Sequence, residues 1–300
     1  MLRECLRELL KKTLIKQYSL PNSDLQIERT CLSNIDDDAF LCASEDDLVC
    51  VIYNSIIDYS FNEFDLNNSD YSKLLIQALK IKIRYNEWQD ETVKIKYGFY
   101  GEVILYSMLQ HFYHSTPLVS RGYFYNPLEN SETKGYDSYH LIESDDNIDL
   151  WFGEVKFRGT LDSCIKSAVE GLDKALSDMY LSNNILAMIN HRNNFNIKDS
   201  KIEKIIDSWS INPEINLLDE IKKYAIKLVY PILIIYSDKD PEYDHRITNA
   251  IKHINDNYAS KKYNLSIDYQ IFFILLPLNE VKKIKQDVIK WIESKQPLIS

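Results

Sequence analysis

The ten residues 149–158 (DLWFGEVKFR) combine an apolar strand pattern with charged side chains on one face. Because side chains of a strand alternate between its two faces, Phe152, Glu154, Lys156 and Arg158 share a side. A carboxylate and an ammonium two residues apart are costly to bury unless they pair or bind a cation and an anion. A metal-dependent nuclease needs such an arrangement, but an exposed Glu/Lys pair at a hairpin edge has the same sequence pattern. This stretch alone leaves both interpretations open.

A helix before this strand supplies a second acid. Apolar residues recur at intervals of three and four from Glu91 to His114, which predicts one long helix. Gly98 and Gly101 inside it cost about 1 kcal/mol each against alanine. A close approach of another backbone, or a kink, would explain them. Glu102 then lies near the middle of the helix, where a solvent-facing position is the alternative to a role in a site.

A hairpin supplies the third acid. Segments 117–125, 134–142 and 147–157 have strand composition, and the acidic residues 143–146 indicate a turn between the last two. Asp137 lies on the middle strand and Glu154 on the third. Because opposed side chains of paired strands lie about 5 Å apart, we expect these two carboxylates to come within reach of one metal ion.

Three carboxylates and a lysine in this order suit phosphodiester hydrolysis. Mg²⁺ is a hard cation that prefers oxygen ligands, polarises a phosphoryl oxygen and lowers the pKa of bound water. Lys156 adds positive charge beside the attacking water or the developing phosphorane. We therefore expect Asp137, Glu154 and Val155 to hold Mg²⁺, with Mn²⁺ as a substitute, and Glu102 to hold a second ion or a metal-bound water from the side.

The order of these residues resembles the core of the PD-(D/E)xK nuclease superfamily. There an acidic residue of a helix precedes a hairpin that carries Asp and then (Asp/Glu)-x-Lys, although Gly135-Tyr136 stands here where the superfamily name has a proline before Asp137. The segments GFYGE (98–102), KGYDSYH (134–140) and WFGEVKF (151–157) further resemble the nuclease subunits of the Hachiman anti-phage system and of a related two-gene phage-resistance pair.

This resemblance implies a function and a partner. It implies a DNA nuclease that is the effector of a two-component anti-phage system, in a heterodimer with a superfamily 2 helicase. The helicase would hold the nuclease inactive until it senses phage DNA structures. The non-enzymatic alternative is a degenerate nuclease fold that docks the helicase and cuts nothing.

Several polar and aromatic residues near the motifs have two possible roles. Arg158, one strand step past Lys156, and Lys134, at the mouth of the hairpin, are expected to contact DNA phosphates. For His140 strand alternation favours hairpin packing over substrate contact. Tyr136 and Trp151 are predicted as core or rim aromatics rather than base-stacking platforms.

Composition restricts the class of protein. With seven glycines and eight prolines in 300 residues, long helices and a compact sheet are favoured over a loop-rich sandwich. A free-standing DNA binder is more often basic than this chain, whose net charge is −10, so either a local basic patch or another protein holds the nucleic acid. Five cysteines without a CxxC pair, no secretory signal and no membrane-length apolar run predict a cytoplasmic protein with reduced thiols and no membrane partner.

The expected fold is α/β, with a mixed central β-sheet flanked by helices, a restriction-endonuclease-like core and a helical N-terminal region. A soft boundary near Asn86 divides the chain into residues 1–86 and 87–300, although a single domain is also compatible. Segment 21–45 is predicted as irregular or as an edge strand. The remaining helices are expected at 2–17, 46–59, 69–79, 161–181, 216–226, 243–258 and 279–294, and buried strands at 228–236 and 269–278. Asn279 is the predicted N-cap of the last helix, with Lys282, Lys283 and Lys285 on its solvent side.

Overall fold

The computed structural model describes most of the chain. The described residues are 3–20, 36–62, 66, 70–120, 125–126, 131–132, 135–145, 147–194, 200–212, 214–258 and 262–299. Lys134 therefore lies outside the described residues. Among the described helices, none has the length and apolar character needed to cross a membrane.

Groups of helices and groups of strands follow one another along the chain. The helices are α1 Glu4–Thr13, α2 Glu45–Ser60, α3 Tyr71–Gln77 (continued by a π-helix, Ala78–Ile83), α4 Glu91–Lys94, α5 Phe99–Phe112, α6 Leu161–Ala175, α7 Asp178–Asn190, α8 Lys201–Ser210, α9 Leu217–Lys223, α10 Tyr243–Asn257 and α11 Val281–Glu293. The strands are β1 Leu14–Leu20, β2 Asp37–Cys42, β3 Thr116–Pro117, β4 Tyr125–Asn126, β5 Ser131–Glu132, β6 His140–Glu143, β7 Ile148–Trp151, β8 Glu154–Phe157, β9 Lys227–Ser237 and β10 Tyr269–Leu278.

One mixed sheet organises these elements, as the sequence predicts. Its order is β1-β2-β10-β9-β7-β6-β3, and β8 pairs with β9 beyond the end of β7. The central strands β2, β10, β9, β7 and β8 run parallel, whereas β1, β6 and β3 are antiparallel to their neighbours. Strands β4 and β5 form a separate two-stranded ribbon.

Two hydrophobic cores cover the two faces of the sheet. Alternate residues of β9, such as Tyr230 and Ile232, face a core that includes α6, α7, α8 and α10. Their neighbours, such as Val229 and Leu233, face a core that includes α1, α2, α5 and α11. Burial on both faces explains why β9 and β10 are nearly continuous apolar runs, and both strands were predicted to within one residue at each end.

The predicted third strand is divided into β7 and β8. Both pair with β9 in one register, because Asp149 faces Lys227 and Glu154 faces Ile232 at the same offset. The interruption at Phe152-Gly153 is closely packed, since a Cβ on Gly153 would lie 2.8 Å from Oγ of Ser138. The predicted alternation of side chains survives the interruption: Phe152 contributes to one core, and Trp151, Val155 and Phe157 contribute to the other.

The predicted helices at 91–114 and 161–181 are each two helices. The first is interrupted between Lys94 and Phe99, and Gly98 is the N-cap of α5. Glu102 is therefore in the first turn of α5, and its expected position near the middle of a long helix is wrong. The second breaks at Leu176, where the Ser177 side chain accepts a hydrogen bond from the backbone N–H of Tyr180 and begins α7.

The two chain ends differ from the prediction in detail. Helix α1 ends at Thr13 and is followed by β1, and β2 is an interior strand between β1 and β10 rather than an edge. The region before Asn86 thus contributes two strands to the sheet as well as helices, while the domain boundary there stays a prediction. At the other end, α11 begins at Val281 after Glu280, so Asn279 is not its N-cap.

Candidate active site

A cavity of about 270 Å³ lies where β8 meets the start of α5 and one face of α11. Four of its lining residues are those predicted from the motifs: Glu102, Asp137, Glu154 and Lys156. The remaining lining residues are Lys96, Tyr97, Gly98, Gly101, Val155, Phe157, Arg158 and Lys285. Residues from three distant parts of the sequence are therefore brought to one opening.

Asp137 lies just before β6, at the interruption between β7 and β8. Its backbone N–H donates to the carbonyl of Gly153 at 2.9 Å, and its Oδ2 accepts a hydrogen bond from the backbone N–H of Val155, also at 2.9 Å. On the side of β8 away from β9, this carboxylate satisfies a backbone donor that a neighbouring strand would otherwise satisfy. The aspartate was expected within a strand, but it precedes the strand and its side chain turns to β8.

Glu154 and Lys156 form an ion pair on one face of β8. Their side chains are only 23% and 17% exposed, which excludes a fully solvated pair. The hydroxyl of Tyr230 on β9 lies 3.4 Å from Oε2 of Glu154. Burial, and then the negative charge of Glu154, raise the pKa of Tyr230 well above its usual value, so this hydroxyl keeps its proton and remains a donor to the carboxylate.

Glu102 reaches the cavity from the first turn of α5. The hydroxyl of Tyr59, on α2, donates a hydrogen bond to Oε2 of Glu102. Each nearby glycine has a packing reason. A Cβ on Gly98 would lie 2.7 Å from Oε1 of Glu102, and a Cβ on Gly101 would lie 2.9 Å from Cγ2 of Val155. Gly101 thus allows a close contact between α5 and β8, and close approach is one of the two explanations that the sequence left open.

Lys285 is a site residue that the sequence analysis missed. It was predicted on the solvent side of α11, but its Nζ points into the cavity and donates to the carbonyl of Phe157 at 2.8 Å. Burial, reinforced by the positive charge of Arg158, lowers the pKa of Lys285 to about 8. The signal was available, because Val281, Lys285, Val288 and Ile292 follow the spacing of one helix face.

The structure also places Arg158 and the three residues for which packing roles were predicted. Arg158 lines the cavity and donates to Oγ of Ser167 at 2.8 Å. His140 is buried, and its Nδ1 lies 2.9 Å from Oγ of Ser115, which confirms a packing role. Tyr136 and Trp151 are likewise buried among other aromatic rings, as predicted.

The carboxylates share the cavity without forming a chelate. Among the residues that the structure describes, no three His, Cys, Asp or Glu side chains come together closely enough to hold a metal ion. Glu102 is engaged by Tyr59, Asp137 by the N–H of Val155, and Glu154 by Lys156. Lys156 contacts Oε1 of Glu154 and the Tyr230 hydroxyl lies 3.4 Å from Oε2, so a metal ion on this carboxylate would compete with both groups.

The fold and the site define a class: a mixed α/β protein with a carboxylate–lysine cavity beside a parallel pair of central strands. The sequence profile of the HamA family matches residues 7–292, nearly the whole chain. The chain therefore belongs to the HamA family and is a component of the Hachiman anti-phage defence system. No curated protein matches it.

Proposed function

We propose that this chain is a metal-dependent deoxyribonuclease, the effector of a two-component anti-phage system, and that a partner helicase restrains and activates it. The observation that carries the proposal is the common cavity: the helix acid Glu102, the hairpin acid Asp137 and the Glu154–Lys156 pair all line it. Their order along the chain resembles that of the PD-(D/E)xK pattern, which supports the proposal.

The donor set fits a hard divalent cation. Carboxylates of Glu102, Asp137 and Glu154, together with the backbone carbonyl of Val155, offer only oxygen, which suits Mg²⁺ and Mn²⁺. When bound, such an ion supplies Lewis acidity and a more acidic water. Asp137 is oriented for this role by its hydrogen bond to Val155, and Glu102 by Tyr59.

Lys156 has a different role in the two states of the site. In the structure described here its ammonium is paired with Glu154. If Glu154 held a cation, that cation would compete with the Lys156 ammonium for the carboxylate, and Lys156 would then be available to orient the attacking water and to stabilise negative charge that develops on the phosphate. The Glu154–Lys156 pair is thus a resting arrangement of catalytic groups.

The proposed helicase partner would account for the charge of the chain. The chain has 45 acidic and 35 basic residues, so long-range electrostatics oppose the approach of DNA. A helicase that carries most of the DNA contacts would deliver the strand to the cavity. Gel filtration of a mixture of the two proteins should give a stable complex, and separate elution would count against the partnership.

Plasmid cleavage tests the proposed activity directly. The full chain, alone and with its helicase, is incubated with supercoiled plasmid in Mg²⁺ and in EDTA. We expect the plasmid to be nicked or degraded in Mg²⁺ and to stay intact in EDTA. Cleavage activity should fall roughly 100-fold or more in Glu154→Gln and in Lys156→Met. Glu170→Gln, an exposed change on α6, is the matched control and should cut like the parent.

Two outcomes would contradict the proposal. Equal cutting by Glu154→Gln would mean a contaminating nuclease or a different site. A chain that binds the helicase but cuts nothing, alone or in the complex, would instead support the non-enzymatic docking module.

A further inference from the structure

One end of the cavity carries positive charge that the proposed metal chemistry does not use. Four basic side chains and three acidic ones line the cavity, although the chain as a whole is acidic. Lys156 is paired with Glu154. Within the described part of the chain, Lys96, Arg158 and Lys285 form no ion pair with a carboxylate.

Among these cations, burial of Lys285 has the largest cost in free energy. Its ammonium is half-buried, donates to the carbonyl of Phe157 at 2.8 Å, and lies 4.6 Å from the centre of the Phe157 ring. Arg158 is the next residue, and its positive charge opposes that of Lys285. A half-buried ammonium beside a second cation, with only carbonyl and aromatic partners, is unfavourable unless an anion joins it.

The position of this charge separates it from the carboxylates. Phe157, which Lys285 contacts, is three residues beyond Glu154 on β8. Three strand steps of about 3.3 Å each put it roughly 10 Å along the strand. An anion held there is therefore a different group from the phosphate at Glu154 and Asp137.

We infer that Lys285, with Arg158, forms a second phosphate subsite that holds a backbone phosphate next to the one that is cleaved. Lys285 supplies a point charge from the floor of the cavity, and Arg158 a planar fork at its rim. The inference rests on the proposed function in that its ligand is a DNA strand. The subsite would set how far the strand extends past the scissile bond.

Chemical labelling of the unaltered protein tests this contact. A lysine with a lowered pKa is acylated readily near neutral pH, because more of its amine is uncharged. The full chain is treated with an acylating reagent, with and without a short DNA duplex, in EDTA and again in Ca²⁺, and modified lysines are read by mass spectrometry. DNA should protect Lys285 several-fold and leave Lys282 and Lys283, exposed on the same helix, unprotected.

A salt titration gives an independent measurement. DNA affinity is measured for Glu154→Gln and for Glu154→Gln with Lys285→Met. Losing one phosphate contact should weaken binding several-fold and reduce the slope of log K against log salt by about 0.7 to 0.9. Lys285→Arg should restore most of the slope, and Lys282→Met should leave it unchanged.

The outcomes separate this subsite from the proposed nuclease activity. DNA that protects Lys285 on a chain that never cleaves would refute the activity and keep the subsite. Cleavage in Mg²⁺ with no protection of Lys285 and no change of slope would keep the activity and refute the subsite. A chain that binds no DNA under either condition, alone or in the complex with its helicase, would also refute it.

Discussion

Oδ2 of Asp137 accepts a 2.9 Å hydrogen bond from the backbone N–H of Val155, the residue between Glu154 and Lys156. This contact ties the segment before β6 to the strand that carries the Glu154–Lys156 ion pair. Asp137 therefore has a structural role and a proposed catalytic role, and two substitutions distinguish them.

Asp137→Asn should abolish cleavage while leaving the fold nearly intact. The amide oxygen can still accept from Val155, but the negative charge for a metal is gone. Asp137→Ala loses both, and removing a hydrogen bond to a charged group costs about 1.5–3 kcal/mol. In urea unfolding, the parent and Asp137→Asn should have similar free energies of unfolding and Asp137→Ala a lower one. Plasmid cleavage should be lost in both variants. An active Asp137→Asn would show that the negative charge of this residue is not needed for metal binding.

Tyr59→Phe tests whether α2 orients the helix acid. The change removes the hydroxyl that donates to Glu102 but keeps the ring, which packs edge-on against Tyr106. We expect kcat to fall about tenfold, or about 1.4 kcal/mol, with a higher metal requirement and little change in stability. Tyr53→Phe removes a hydroxyl of the same helix that bonds the carbonyl of Gln296 instead. Equal loss of activity in both variants would mean that Tyr59 has no specific role.

The sequence predicts best where one local pattern determines the structure. Strands β9 and β10 have apolar residues on both faces, so their bounds follow from the run itself. The motif residues could likewise be placed together, because their order along helix and hairpin restricts the possible geometry. Glu102, Asp137, Glu154 and Lys156 do line one cavity.

The features that sequence analysis missed depend on tertiary contacts. Apolar periodicity runs through Gly98 and gives no sign that α5 begins there, because the reason is space for the Glu102 carboxylate. The break at Gly153 depends on Ser138 and Pro231, which are distant in sequence. Lys285 reads as one of several surface lysines until α11 is packed beside β8.

Gly101→Ala should separate helix propensity from packing. A Cβ there would lie 2.9 Å from Cγ2 of Val155 and 3.3 Å from Cβ of Phe157, so α5 must move away from β8. Overpacking of this kind costs about 1–3 kcal/mol, and the shift would also displace Glu102. In Gly171→Ala, on the exposed side of α6, the new methyl meets nothing within 4 Å.

Gly171→Ala is the matched control, and it should stabilise the protein by about 1 kcal/mol through helix propensity. Denaturant unfolding of both variants gives the comparison. A stabilised and fully active Gly101→Ala would show that the contact between α5 and β8 is looser than described.

His140 predicts how stability depends on pH. Complete burial lowers its pKa from 6.5 to about 3, so the folded protein keeps the imidazole neutral while the unfolded chain binds a proton below pH 6.5. Its contribution to stability is complete above pH 6.5 and is lost as pH falls towards 3, by about 1.4 kcal/mol per pH unit.

Unfolding free energies between pH 7 and pH 5 should therefore fall more steeply in the parent than in His140→Leu. The difference between the two slopes isolates this imidazole from the carboxylates and other histidines, which titrate in both proteins. Parallel slopes would mean that His140 is protonated in the folded state, which would require water or a carboxylate to reach Nε2, a buried atom without a hydrogen-bond partner among the described residues.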